Sequence, residues 1–520
     1  MEEYRIGIDF GACNIKVVAL KGKGLREVKL NKHDTGGNET SNIIHYKKMK
    51  NGVLDVIIGS KARNYAVSDT ENSVVGVKRR LACETWSQFI PALNKNVDAV
   101  RVSTDIFTCV RNSLPLSQGQ SVRAMITVPV SFSMIQCQRL RKAAEDAGIT
   151  VEGVISEPFA SLFSLEDLLT GDPQLAVIFD FGGSTLDVSI ASVEKKGNGP
   201  ICLTELAAGG IPLGGLDIDE AICTEIIDPQ YSAELPEAYG NDTPEVMRQR
   251  LLLDVEILKR QVFEDEEEEV EHLAGGLTLS LKRSAVEELL ERDTFKGKII
   301  ALLDSLFEEL MEGPDGFTKD NVSIVLPFGG TSRIPAVQRI LRDYFGSEIF
   351  NDENFDFTDT SMFVDGIEDR CMAVAGGAAR YMEMVLKHSE DVRITTVIPF
   401  RIGFARAGKF RTCINRNEPY GYETLYMRLP AAELASDGWR LAIYQSFTSG
   451  QSYSDLSSAI YLGSIDLDRS LYNEKETVLM KMRMARDGSV RLRLFQQLQL
   501  GEDAELEIVQ IEEHFLKIGK

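Results

Sequence analysis

Up to about residue 388 the chain alternates short unbroken apolar runs with longer stretches whose apolar residues recur at helical spacing. The first texture predicts buried strands and the second amphipathic helices, so their alternation predicts an α/β fold with sheets covered on both faces. Ala124–Val130 is one strand run, closed by Pro129. Ser133–Ala147 then reads as a helix, with Ile135, Leu140, Ala143, Ala144 and Ala147 at helical spacing and Gly148 as its stop. Another helix is expected over about Pro244–Phe263. The acidic run after it, Asp265–Glu269, reads as a solvated surface.

After about residue 390 helical periodicity fades and short alternating strands take over. Met480-Lys481-Met482-Arg483-Met484 alternates apolar and charged, Asp487-Gly488 is a hairpin-type turn, and Val490-Arg491-Leu492-Arg493-Leu494 alternates again. This predicts a half-buried antiparallel sheet with its methionines in the core, and no long helix. Ala504–Ile518 reads as a short helical or strand-like run.

The first part contains a repeat. Tyr4–Gly11 and Ala176–Gly183 both run from an apolar strand into Asp-Phe-Gly and then small residues, and each leads into another strand-like run, Ile15–Leu20 and Leu186–Ala191. Two copies of one unit predict two similar halves facing each other across a cleft.

Length and charge narrow the functions. At 520 residues the chain exceeds what one core fills, so two or more domains are expected. A formal net charge of -22 argues against non-specific binding to nucleic acid or an anionic membrane. Eight cysteines without a CxxC pair, an opening segment without a charged-then-apolar leader and no long apolar stretch together predict a cytoplasmic protein with reduced thiols.

An Asp at the end of a buried strand, followed by a Gly-rich hairpin, suits phosphate chemistry. The carboxylate is an oxygen ligand for Mg²⁺ or its waters, and glycines let backbone N–H groups approach phosphate oxygens. Two such loops from opposite halves clamp a nucleotide's phosphates, and phosphoryl transfer needs mainly that positioning and charge neutralisation. No GxxxxGK[ST] occurs, so a Walker-type site is excluded.

IGIDFGACN (6–14), VIFDFGGSTLDVSI (177–190) and VLPFGGTSRIPAVQRIL (325–341) resemble the two phosphate motifs and the adenosine motif of the actin, hexokinase and heat-shock superfamily. VKRRL (77–81), ITVPVSFSMIQCQRLRKAAEDAGI (126–149), ISEPFASL (155–162), PLGGLDID (212–219), EILKR (256–260) and AVAGGAARY (373–381) are similar to the seventy-kilodalton heat-shock chaperones of the DnaK type. The resemblance implies an actin-like ATPase domain of two ribonuclease H-like halves over 1–388, a linker over 389–398, and a β-sandwich substrate-binding-like domain over 399–520 without a helical lid.

It also implies roles for individual residues. Asp9 and Asp180 would sit at the metal and its waters, with Glu157 and Asp187 helping to place the attacking water, and Asp187 near the metal. Lys78 would reach the γ-phosphate. Gly11 would cradle phosphates from one side, and Gly182, Gly183, Ser184 and Thr185 from the other, with Gly214 and Gly215 at the nucleotide's border. Gly329, Gly330 and Arg333 would hold the adenosine, and Glu256, Lys259 and Arg260 would line base and ribose from the opposite lobe. The implied cofactors are ATP/ADP and Mg²⁺, and the implied partners are unfolded or extended polypeptide and co-chaperones.

The pattern breaks in places. Ala12 and Cys13 stand where the family carries two threonines, removing a hydroxyl donor to the transferring phosphate. Losing one transition-state contact commonly costs about two or three powers of ten in rate. Cys13 reads as a small space-filling side chain, since a thiol beside carboxylates and a triphosphate resists ionisation. Ser184 replaces a third glycine, Phe263 a small polar residue, and Cys371 an acidic one for which Asp369 could compensate. In the linker, Asp391–Pro399, Arg393 and Thr395 interrupt the apolar run, and burying Arg393 without a partner would be costly.

The expected function is an ATP-binding chaperone-like protein with weak or slow hydrolysis that binds extended apolar segments. The alternative is a catalytically silent co-chaperone or scaffold that binds ATP and acts with another chaperone. A sugar kinase of the superfamily lacks a β-domain behind, and the same domain argues against an actin-type filament.

Overall fold

A computed structural model describes residues 3–22, 24–30, 39–165, 174–195, 201–240, 243–264, 267–349, 370–386, 392–406, 408–448, 453–472, 477–486, 488–499, 506–516 and 518. Asp265, Asp369 and Asp391 lie outside them, as does part of the Ala504–Ile518 run. The chain divides into two compact units: Met1–Val130, Leu140–Leu203 and Gly209–Arg393; and Ser131–Arg139, Thr204–Ala208 and Ile394–Lys520.

The first unit is built on two mixed sheets. In one, Ile149–Ser156, Val122–Val128, Tyr4–Phe10, Asn14–Lys21 and Gly24–Glu27 lie side by side in that order. In the other, Ile324–Phe328, Gln174–Phe181, Leu186–Lys195 and Ile201–Ile211 do the same. The architecture repeats at each Asp-Phe-Gly. Tyr4–Phe10 pairs antiparallel with the strand after its turn and parallel with Val122–Val128, and Gln174–Phe181 has the same arrangement with Leu186–Lys195 and Ile324–Phe328. Parallel pairs are covered on both faces, which is why these strands read as nearly unbroken apolar runs. Gly7 and Gly377 let the helix Ala373–Leu386 come close: a Cβ on Gly7 would lie 2.0 Å from the Ala375 carbonyl oxygen, and one on Gly377 1.8 Å from that of Ala160.

The helix read over Ser133–Ala147 spans Met134–Asp146. Ser133 and Gln136 close its first turn reciprocally: Gln136 N donates to Ser133 Oγ at 3.2 Å, and Ser133 N to Gln136 Oε1 at 2.9 Å. Gly148, at φ +79°, supplies the left-handed stop. The second expected helix runs Pro244–Glu264 and buries Leu251, Val255, Leu258 and Val262. Beyond it Glu267, Glu268 and Glu269 are exposed, the solvated face read from the charge run.

The second unit holds two antiparallel sheets sharing one core. Tyr453–Asp455, Lys409–Ile414, Arg401–Arg406, Arg440–Ser446 and Ile460–Asp466 form one, and Met427–Pro430, Thr477–Met484, Val490–Gln499 and Leu506–Leu516 the other. The methionine-striped hairpin pairs Met480 with Leu494, Met482 with Leu492 and Met484 with Val490. All six side chains are buried with Phe404, Ile414 and Ile443, so the stripe is core. The run after residue 505 is a strand, Leu506–Leu516, and Arg393 is exposed, so its charge carries no burial cost.

Candidate functional site

In the first unit two hairpins carry the centre of the site. Asp9 sits opposite Lys16 across the first hairpin and beside Thr127 on the parallel strand. Asp180 sits opposite Asp187 across the second and beside Phe328. The two hairpins are equivalent in register, yet one places a cation opposite its aspartate and the other a carboxylate.

The turns of these hairpins meet. A Cβ on Gly183 would stand 2.5 Å from Cys13 Sγ, and one on Gly214 would stand 2.4 Å from Ser184 N, so both glycines are required by close approach. The Gly182 carbonyl accepts from Gly215 N at 3.0 Å and from Thr331 Oγ1 at 2.8 Å, while Leu216 N donates to the Gly183 carbonyl at 2.8 Å. Gly329 has φ +81°, and a Cβ there would lie 2.4 Å from the Phe181 carbonyl oxygen. Four glycine-bearing segments, distant in sequence, are thus locked around one point.

Charge is concentrated there. Lys78 Nζ donates to Glu157 Oε1 at 2.5 Å, both side chains being buried. Burial opposes the Lys78 charge, but Glu157 and then Asp9 outweigh it and raise its pKa above the ordinary value. Lys16 Nζ lies 3.3 Å from Glu39 Oε1 and 3.5 Å from Asp9 Oδ2. Burial again opposes the charge, and Glu39 and Asp9 overcome it, holding the ammonium well above its usual range. Asp180 is pushed up to about 7 by burial, then by Asp187 and Asp9. Burial also pushes the Glu157 carboxyl up, with Lys78 pulling the other way.

On the helix Pro244–Glu264, Glu256 and Lys259 point into partly buried surroundings. Glu256 pairs with Arg63 at 2.9 Å; Lys259 pairs with Asp219 at 2.7 Å and donates to the Gly215 carbonyl at 2.9 Å. Arg260 is exposed and pairs along its own helix with Glu264, as a solvated helix face does. Gly330 and Arg333 are exposed at the two ends of a short turn, Gly330–Arg333, in which Ser332 Oγ donates to the Gly329 carbonyl at 2.7 Å.

Among the described residues no three His, Cys, Asp or Glu side chains form a ready-made cation site. Asp9 is already engaged by Lys16. The carboxylates at the hairpins, Asp9, Asp180 and Asp187, are oxygen donors of the kind Mg²⁺ takes, one or two at a time with waters and phosphate oxygens.

A model of the Hsp70 protein family matches residues 84–424, more than half of the chain. The chain belongs to the Hsp70 family. Its mixed sheets followed by a β-rich region are the Hsp70 architecture of an actin-like ATPase domain and a β-rich C-terminal part. The family is one of ATP-binding chaperones, whose members bind ATP or ADP with Mg²⁺, unfolded polypeptides and co-chaperones.

Against the Hsp70 pattern, Ala12 is buried and Cys13 is packed on Gly183. Burial pushes the Cys13 thiol up to about 12, with Glu256 adding to it, which fits a space-filling side chain and not a nucleophile. Cys371 stands beside Glu39, so it adjoins the same charge cluster.

The sequence reading of this Hsp70 member passed over Lys16, Glu39, Arg63, Asp219 and Thr331. Lys16 had a signal, since it follows Asp9 by seven residues as Asp187 follows Asp180. Asp219 and Thr331 had one too, lying inside PLGGLDID (212–219) and VLPFGGTSRIPAVQRIL (325–341), whereas Glu39 and Arg63 reach the site from distant segments and had none.

Proposed function

We propose that this Hsp70 member is an ATP-binding chaperone with weak or slow hydrolysis that engages extended apolar polypeptide segments. The observation that carries the reading is the convergence of both hairpin turns, the Gly214–Gly215 segment and the Gly329–Arg333 turn on one another, with the buried Lys78–Glu157 pair near Asp9 and Asp187. Glycine-lined backbone from two halves is suited to phosphate oxygens. Asp9, Gly11, Gly182, Gly183, Ser184 and Thr185 hold the phosphates, and Gly329, Gly330, Arg333, Glu256, Lys259 and Arg260 the nucleoside. Lys78 counters phosphate charge, and Glu157, Asp180 and Asp187 orient the attacking water. Mg²⁺, when bound, neutralises phosphate charge.

Residues 1–388 serve as the nucleotide-binding domain, 389–398 as the linker and 399–520 as the substrate-binding-like β-domain. A cytoplasmic setting accords with eight cysteines of which none is in a disulfide. The net charge of -22 disfavours nucleic acid and anionic membranes, and among the described residues no helix is long and apolar enough to cross a membrane.

Ala12 and Cys13 favour a second reading, an ATP-binding but silent co-chaperone or scaffold, because neither supplies the hydroxyl donor to the transferring phosphate. A single turnover with limiting labelled Mg-ATP separates the two. Slow cleavage abolished by Lys78→Ala or Asp180→Ala supports the ATPase; bound but intact ATP supports the scaffold. Absence of ATP binding refutes both.

A further inference from the structure

We propose that Lys16 is a built-in cation of the phosphate cleft: it neutralises Asp9 and lends positive charge to a bound polyphosphate, so that nucleotide is held with reduced dependence on a divalent ion. The proposal rests on the nucleotide-binding reading above and adds a residue to it.

Lys16 is placed by a strand and not by a mobile loop. Its register opposite Asp9 is the counterpart of Asp187 opposite Asp180, so the fold itself does not demand a cation at this position. The side chain is 16% exposed, too enclosed for an ordinary solvated lysine and too open to be sealed in the core. Its two carboxylate partners are themselves tied to the phosphate loop. Glu39 accepts from Asn14 Nδ2 at 3.0 Å, and three residues on Asn42 Nδ2 donates to the Gly11 carbonyl at 2.6 Å. Lys16 is therefore held at the edge of the first turn, where a phosphate approaching Gly11 arrives.

The charge balance points the same way. Asp9, Glu39, Glu157, Asp180 and Asp187 bring five carboxylates together, and Lys16 and Lys78 are the cations set among them, Arg63 and Lys259 being taken up by Glu256 and Asp219. A triphosphate adds further negative charge, and like charges this close in a partly buried site repel strongly. Without Lys16 that repulsion would fall on the metal to relieve. With it, the ammonium and a divalent ion compete for Asp9, because both need the same carboxylate and repel one another.

The test has two readouts. Mn²⁺ binding to the nucleotide-free full-length protein, followed by the electron paramagnetic resonance of free Mn²⁺, is expected to tighten about tenfold or more in Lys16→Gln. ATP binding by calorimetry in excess EDTA is expected to persist in the native protein within about tenfold of its affinity in Mg²⁺, to weaken about tenfold or more in Lys16→Gln, and to survive in Lys16→Arg. Equal Mn²⁺ affinity in native and Lys16→Gln proteins overturns the proposal, and so does loss of native ATP binding in EDTA. If Lys16→Gln fails to fold, the native comparison with and without EDTA decides. Failure to bind ATP both with Mg²⁺ and with EDTA refutes the nucleotide reading instead, and the Mn²⁺ titration then decides the Lys16–Asp9 competition alone.

Discussion

Lys78 Nζ stands 2.5 Å from Glu157 Oε1, and both side chains are withdrawn from solvent near Asp9 and Asp187. Such a pair is held by its partners and not by its surroundings. Removing one member strands the other, which costs about 3–5 kcal/mol, while removing both leaves no unpaired charge. Lys78→Met is therefore expected to lower the stability of nucleotide-free protein by roughly that amount, and Lys78→Met/Glu157→Gln to recover most of it. Urea unfolding of the three proteins checks this; a double variant no more stable than the single would show that the pair is not a closed unit.

Ala12 and Cys13 leave the first turn without hydroxyl donors. Ala12→Thr/Cys13→Thr is expected to raise the single-turnover hydrolysis rate by about a hundredfold or more, with little change in ATP affinity. An unchanged rate would place the limit on hydrolysis elsewhere in the site.

Two neighbouring glycines should behave differently. A Cβ on Gly329, at φ +81°, would lie 2.4 Å from the Phe181 carbonyl oxygen and 2.7 Å from Asp180 Oδ1, whereas one on Gly330 meets nothing within 4 Å. Gly329→Ala is expected to cost about 1–3 kcal/mol in stability through strain and clash. Gly330→Ala is expected to leave the melting temperature near the native value, so any loss of ATP affinity it shows reports on the ligand and not on the fold.

The cysteines should separate by reactivity. Cys83 is exposed, and hydrogen bonds from the Thr85 side chain and backbone lower its pKa below the ordinary thiol value. Burial pushes Cys109 up to about 11 and Cys13, Cys223 and Cys413 up to about 12. The thiolate is the reactive form, so a lower pKa means more of it at neutral pH. Brief alkylation near neutral pH, mapped by mass spectrometry, is expected to label Cys83 well before those four. Early labelling of Cys13 would contradict its burial against Gly183.

Much of this protein could be read from its residue pattern because strand alternation, helical spacing and glycine placement are local. The Asp-Phe-Gly turns, the helix stopped at Gly148 and the Met480–Leu494 hairpin each follow from a few consecutive residues, whose backbone preferences and exposed faces do not depend on distant chain. The same locality made the two halves visible as a repeat. Tertiary structure decided which charges meet. Arg63 finds Glu256, Asp219 finds Lys259, and Thr331 finds the Gly182 carbonyl across long stretches of sequence, and no periodicity encodes such pairings. It also decided what Lys16 is. In sequence it is one lysine in a strand of alternating residues. Only the register opposite Asp9, and the approach of Glu39 from the segment ahead of Thr40, turn it into an enclosed cation beside the first Asp-Phe-Gly turn. Electrostatic energy depends on distance and burial, and both are set by the packing of the chain, not by its order.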